Sequence, residues 1–267
     1  METRKNEEKQ FHDTVRKDSW GQRWSAELEE SVREKPLWRN MKYYAIERRS
    51  RLAVLDWLKK TCADKRVMDY CCGNGEDALY IAGQGAKEVV GIDISEVSIK
   101  NCAERAKKEN LANIIFKVMD AEALEFADNS FDVVTEYGAL HHLSLDKAYS
   151  EISRILKKDG RAICVESLGH NRLIQRYRKV TLDLRTKWEV EHILKRKDIE
   201  AARKYFHKIE ILGFFHLATI AAVPFRSWRI FHGILRICEF LDMILLRIPL
   251  LKWQAWQVVF VLSEPKK

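Results

Sequence analysis

Short apolar runs alternate with amphipathic stretches through the middle of the chain: RVMDY then GEDALYIAGQ, VVGIDI then SEVSIKNCAERAKKEN, IIFKVMD, FDVVTEY then LDKAYSEISRILKKDG, and RAICVES. The short runs read as buried strands and the longer periodic stretches as helices. Strand and helix in alternation predict βαβ units, hence an α/β, doubly wound parallel sheet with helices on both faces. Ligands of such sheets sit beyond the carboxyl ends of the strands, so functional side chains are expected just after Met68, Ile92, Val118, Val134 and Val165.

The flanks follow other rhythms. Residues 1 to about 40 mix both charges with Trp20, Trp24 and Trp38, which predicts a helical extension docked through its aromatics. Ile46, Leu52, Leu55 and Leu58 predict an amphipathic helix over 44–60. After Glu166 a polar, basic segment (169–197) leads to a helix over 198–206, a strand over 209–217, a hydrophobic stretch with spaced arginines (218–252) and a last strand, WQVVFVLS. Strand, insertion and strand at the end of a doubly wound sheet predict an antiparallel hairpin edge. The expected division is a cap (1–43) and one domain (44–267), with insertions 168–200 and 218–252 on the substrate side.

With 267 residues, 46% hydrophobic and 32% charged, the chain has the composition of a globular protein and not of a disordered or collagen-like one. Its net charge of +8 is uneven: residues 1–159 carry 27 basic against 29 acidic side chains, and residues 160–267 carry 20 against 10. That asymmetry favours an anionic partner for the C-terminal part, or else marks a solvated basic face. Six cysteines without a CxxC pair signal neither a zinc site nor a disulfide framework, so a reducing, cytoplasmic setting is expected. The first twenty residues are charged throughout and lack a signal peptide's apolar core, and no long uncharged apolar run predicts a spanning helix.

The strongest chemical signal is DYCCGNG, Asp69 to Gly75, between a predicted strand and helix. Gly73 and Gly75 let backbone approach a ligand, and the following helix N-terminus offers N–H donors. Asp93 ends the next strand, where a carboxylate accepts both hydroxyls of a ribose; Asp120 ends the third, where it accepts an adenine amino group. A dinucleotide fingerprint wants G-x-G-x-x-G, whereas Cys71, Gly73, Gly75 and Ala78 stand here with Asp69 beside the turn. An acid there repels a pyrophosphate and suits the ammonium end of methionine.

The stretch from Arg66 to Ser167 resembles the class I S-adenosylmethionine-dependent methyltransferases, and VMDYCCGNG resembles their first motif, D-x-G-x-G-x-G. The resemblance is strongest to the subgroup that includes ubiquinone and menaquinone methyltransferases. It implies a Rossmann-like sheet of seven strands with a reversed final hairpin, and S-adenosylmethionine as cofactor. It implies further that Asp69, Gly73 and Gly75 hold the methionine portion, Asp93 and Ile94 the ribose and adenine edge, and Asp120 with Ala121 the adenine. Cys71 stands where the family has its first glycine, so the turn must accept a Cβ. In TEYGALHHL, Glu136 and Tyr137 would lie against the cofactor, with His141 and His142 near the transferred methyl.

Methyl transfer from a sulfonium needs in-line placement and exclusion of water. A hydroxyl acceptor also needs a base, for which His142 or His141 is the candidate and Glu166 the second. Adjacent histidines do not easily share one metal, so no metal is expected. Beyond the fifth strand, Arg172, Arg176, Arg178 and Arg185 lie near His170, Glu191 and His192; His170, Arg178, Arg185 and His192 are the substrate candidates, since arginines clamp phosphate or carboxylate. The segment 218–252, with Arg226, Arg229, Arg236 and Arg247, either covers the sheet, roofs a greasy pocket or rests on an anionic membrane. The expected function is methylation of a small acceptor, anionic or lipid-like, at oxygen or carbon. The alternative is an RNA or protein methyltransferase using the basic half. No Pro-Pro and no N/D-P-P-Y element follow the fourth strand, and no RNA-binding module is visible, which argues against nucleic acid.

Overall fold

The computed structural model describes residues 3–17 and 41–267; Trp20, Trp24 and Trp38 lie outside them. Helix α1 (Thr3–Lys17) precedes a 3₁₀ turn (Met41–Ile46) and α2 (Arg48–Thr61). The alternating core follows: β1 (Arg66–Tyr70), α3 (Glu76–Gly83), β2 (Glu88–Asp93), α4 (Glu96–Lys108), β3 (Ile114–Val118), β4 (Phe131–Tyr137), α5 (Leu145–Ile155) and β5 (Leu156–Ser167). Three short helices, α6 (Arg172–Val180), α7 (Lys187–His192) and α8 (Arg196–Ala201), separate β5 from β6 (Phe206–Phe215). Two more, α9 (Phe231–Leu245) and α10 (Pro249–Lys252), separate β6 from β7 (Gln257–Pro265).

The seven strands lie in the order β3-β2-β1-β4-β5-β7-β6. The first five are parallel; β7 runs antiparallel to both β5 and β6, the reversed hairpin that the C-terminal pattern predicts. Two apolar layers flank the sheet, one around Met68, Ile92, Phe131, Tyr149 and Phe260, the other around Val54, Leu58, Val67, Ile81 and Val259.

Several boundaries differ from expectation. The helix predicted through Gly160 stops at Ile155, because Leu156 already pairs with Phe131. The helix predicted over 198–206 ends sooner, in a 3₁₀ turn at Lys204, and β6 starts at Phe206 where it pairs with Pro265. In α2 the buried positions are Ser50, Val54 and Leu58, four residues apart and in phase with Ile46, whereas Leu52 is 53% exposed. The apolar face is thus turned from the one that Leu52 suggests, and it takes Ser50 into the core, where its hydroxyl bonds His216 and Gln257.

Candidate active site

The β1–α3 turn is built as the motif predicts. Cys71, Gly73 and Gly75 all have left-handed φ values, +58°, +52° and +70°. Cys71 is the strained member, since its Cβ must be tolerated where glycine is free to go; it packs partly buried against the core. Gly75 is required sterically: a Cβ there would lie 2.9 Å from Cys102 Sγ and 3.2 Å from Phe116. The turn is drawn to β2 by Asp93, whose Oδ2 accepts from Gly73 N at 2.9 Å and Oδ1 from Ser95 N at 2.8 Å. Asp69 Oδ2 accepts from Ala78 N at 3.0 Å; burial, then the Asp77 charge, pushes its carboxyl well above the usual range.

Two adjoining cavities open over this turn. A smaller one, about 110 Å³, is lined by Cys71, Gly73, Asp93, Ile94, Asp120 and Ala121 from the sheet. Its roof is α1, whose Lys5 ion-pairs with Asp120 at 2.7 Å and whose Arg4 pairs with Glu122 at 2.5 Å. Asp13 of the same helix accepts from Ser95 Oγ at 2.6 Å, and Arg16 lies over Gly73. The larger cavity, about 750 Å³, runs from Asp69, Gly73 and Asn74 past Tyr137 and the histidines to α6 and the 182–193 segment.

His141 and His142 occupy a 3₁₀ turn after β4 and diverge. His141 Nδ1 lies 2.6 Å from Glu166 Oε2, and burial holds its imidazole neutral. His142 Nδ1 lies 2.9 Å from Glu8 Oε2; burial opposes charge there, but Glu8 outweighs it and raises the ring's pKa. Both rings line the larger cavity, whereas Glu166 and Glu136 are fully buried behind them. Glu136 Oε1 accepts from Ala139 N at 2.5 Å and Glu166 Oε1 from Leu140 N at 2.6 Å, so the two carboxyls hold the turn. Burial pushes Glu166 up to about 7, and burial with the Glu166 charge pushes Glu136 well above its usual range. Glu166 therefore positions His141 and does not face the cavity, and Glu136 does not line it as expected; Tyr137 does.

At the far end Arg178 and Arg185 line the cavity, among Tyr43, Tyr177, Leu184 and Trp256. Arg178 is buried and donates to Leu168 O at 3.1 Å; burial and the Arg185 charge lower its pKa to about 10. Arg185 pairs with Glu189 at 3.2 Å. The other two substrate candidates fall elsewhere: His170 packs on Trp253, and His192 stacks on Trp188 at 3.6 Å between ring centres, exposed on the outer side of α7. Arg172 and Arg176 are exposed and off the cavity. On α6 they stand six and two residues from Arg178, which turns both to the side away from the cavity. Gly75 does not line either cavity, so its role is the steric one already described.

A family model described as a methyltransferase domain matches residues 62–213. The chain belongs to this family. A demethylmenaquinone methyltransferase of Bacteroides fragilis is 35% identical over 124 residues, 45% of this chain and 50% of that one. An uncharacterised methyltransferase of Bacillus subtilis is 35% identical over 105 residues, 39% of this chain and 41% of its own length. The chain thus matches half or less of either relative. Among solved structures, phosphoethanolamine N-methyltransferase 2 of Haemonchus contortus, with phosphomonomethylethanolamine and S-adenosylhomocysteine bound, superposes with a TM-score of 0.58 at 21% identity, over 82% of this chain and 53% of that one. This likeness is one of fold. The methyltransferase domain has the class I fold, whose members use S-adenosylmethionine as cofactor.

The residues of this methyltransferase fit that cofactor on their own chemistry. Arg51, Asp69, Asn74 and Asp77 all line the larger cavity, and Arg51 Nη2 and Asn74 Oδ1, a donor and an acceptor, are buried without a hydrogen-bond partner. An amino acid's carboxylate and ammonium satisfy such a pair. Arg51, ion-paired with Asp77, was not among the sequence candidates. Neither were Glu8, His12 and Arg16, which the fold brings onto the site from α1. The only local sign of Arg51 is a cation in an otherwise apolar phase of α2.

Proposed function

We propose that the protein transfers a methyl group from S-adenosylmethionine to the oxygen or carbon of a small acceptor that is both anionic and amphiphilic. The observation that carries this reading is one cavity of about 750 Å³ joining the glycine turn to Arg178 and Arg185 through a wall of Tyr43, Tyr177, Leu184 and Trp256. Two guanidiniums in an apolar wall suit a phosphate or carboxylate with a greasy body. The Bacteroides relative, named for a demethylmenaquinone, supports a small acceptor.

When bound, S-adenosylmethionine supplies an electrophilic methyl on a positively charged sulfur. Asp93, Ile94, Asp120 and Ala121 would hold the nucleoside, and Asp69, Gly73, Asn74 and Arg51 the amino-acid end. His141 would remove the acceptor's proton: with Nδ1–H directed at Glu166, the neutral ring keeps its lone pair on Nε2. Helix α1 closes the site against water.

Incubation with methyl-labelled cofactor and fractionated aqueous, lipid and RNA extracts tests the reading. Label in a small acidic, organic-extractable product supports it; label confined to RNA or protein overturns it. Given such an acceptor, Arg185→Gln is expected to raise its KM about tenfold to a hundredfold, the worth of a charged hydrogen bond, with kcat nearly unchanged. An unchanged KM removes Arg185 from acceptor binding.

The same reading gives the acceptor a source. Ile237, Phe240, Leu241 and Ile244 form an i, i+3, i+4, i+7 stripe on the outer face of α9, continued by Trp228, Ile248 and Leu250, all exposed. Arg226, Arg229, Arg236 and Arg247 belong to the same segment, the last three exposed. Among the described residues no helix is long and apolar enough to cross a membrane, and an exposed apolar stripe in an arginine-rich segment suits the interface of an anionic bilayer. Vesicles containing phosphatidylglycerol are expected to sediment the protein at low salt, and Phe240→Ser with Ile244→Ser to release it. Equal sedimentation of variant and wild type sinks this contact.

A further inference from the structure

Glu8 and His12 lie one turn apart on the inner face of α1, directly across from His142. Glu8 Oε2 is 2.9 Å from His142 Nδ1 and 3.6 Å from His12 Nε2, and the three ligand atoms lie within 4.8 Å of one another. We propose that Glu8, His12 and His142 form a binding site for one divalent transition-metal ion of the zinc class, joining α1 to the core at the boundary of the two cavities. Two imidazoles and a carboxylate are the donor types such ions select.

The spacing supports this. A tetrahedral shell with bonds of about 2.0–2.1 Å separates its donors by about 3.3 Å, and the two measured separations bracket that value. The outer contacts are those of a ligating carboxylate: Thr186 Oγ1 donates to Glu8 Oε1 at 2.5 Å, which turns Oε2 to the imidazoles. Glu8 is buried, so its carboxylate is held in place by these partners and not by water. Three protein donors leave a fourth position open, and His12 and His142 both line the larger cavity, where an acceptor oxygen could fill it. Adjacency of His141 and His142 is no obstacle, because His141 is directed at Glu166 and takes no part. The partners of His142 come from residues more than a hundred positions earlier, which spacing along the chain does not reveal.

The test reads ligation alone and so stands or falls apart from methyl transfer. Full-length protein stripped with a chelator is titrated with Zn²⁺ in competition with a chromophoric chelator, and with Co²⁺ by visible spectroscopy. One equivalent should bind, with the intense absorption of four- or five-coordinate Co²⁺. Glu8→Gln, His12→Gln and His142→Gln should each weaken it at least about a hundredfold, and Thr186→Val by about tenfold, in line with outer-contact losses. Wild-type binding no tighter than that of the triple variant overturns the site. Should the triple variant fail to fold by circular dichroism, X-ray absorption of the Zn²⁺-loaded wild type decides: two imidazoles with oxygen support the site, and a thiolate or a single imidazole overturns it.

Discussion

Asp93→Ala is expected to lower the affinity for S-adenosylhomocysteine about a thousandfold while the sheet stays folded. Its carboxylate accepts from Gly73 N and Ser95 N, so it holds the glycine turn and the start of α4 at once, and in the proposed site it also receives the ribose hydroxyls. A hydrogen bond to a charged group contributes about 1.5–3 kcal/mol. Losing the turn's bond and one ribose contact together removes about 4 kcal/mol, hence the thousandfold figure. Asp93→Asn keeps one acceptor oxygen for Gly73 N and should fall between the two. Calorimetric titration with S-adenosylhomocysteine measures both, and far-UV circular dichroism checks the fold. Wild-type affinity in the alanine variant would dismiss the nucleoside from this crevice.

The nucleoside side of the site was legible because its determinants are local. Asp69, Gly73, Asp93, Asp120 and the strands before them stand in fixed relation along the chain, and alternation of apolar runs sets the sheet that aligns their ends. The reversed hairpin was legible too, since a strand lay on each side of the 218–252 insertion. Strand ends were less so. Leu156–Gly160 reads as the tail of a helix, and only pairing with β4 makes it a strand.

What faces the site from the other side was hidden. Lys5 on Asp120, Asp13 on Ser95 and Glu8 on His142 join positions 82 to 134 residues apart, and a charged N-terminal helix has no periodic sign of which face it buries. The histidines show the same limit within one motif. His141 and His142 are equivalent in sequence, yet in the fold His141 meets Glu166 and is kept neutral by burial, whereas His142 meets Glu8, which raises its pKa against burial. Burial of Arg178 and exposure of Arg172 and Arg176 follow from helix phase, which composition could not supply.

Replacing Glu47 by Gln is expected to make the protein more stable at pH 8 by about 3 kcal/mol and at pH 5 by under about 1 kcal/mol. Glu47 is buried at the cavity wall, its Oε1 accepting from Gln257 Nε2 at 2.7 Å and its Oε2 from Tyr137 OH at 3.2 Å. Burial dominates these bonds and pushes its pKa up to about 7 from 4.5. Between those values the folded chain binds a proton that the unfolded chain has released. The group's stabilising contribution is therefore complete below about pH 4.5 and lost as pH rises through about 7. Each pKa unit corresponds to about 1.4 kcal/mol, which gives the expected size. Gln257 is itself held by Ser50, and Ser50 by His216, whose pKa burial lowers to about 3. That ring has the opposite slope, costing stability as pH falls below 6.5, but it is present in both proteins and cancels from the difference. Glu166, also raised to about 7, cancels in the same way. Urea unfolding of wild type and Glu47→Gln at pH 5 and pH 8 reads the difference directly. A variant equally or less stable at pH 8 would mean that the fold does not raise the Glu47 pKa, with Arg51 outweighing burial.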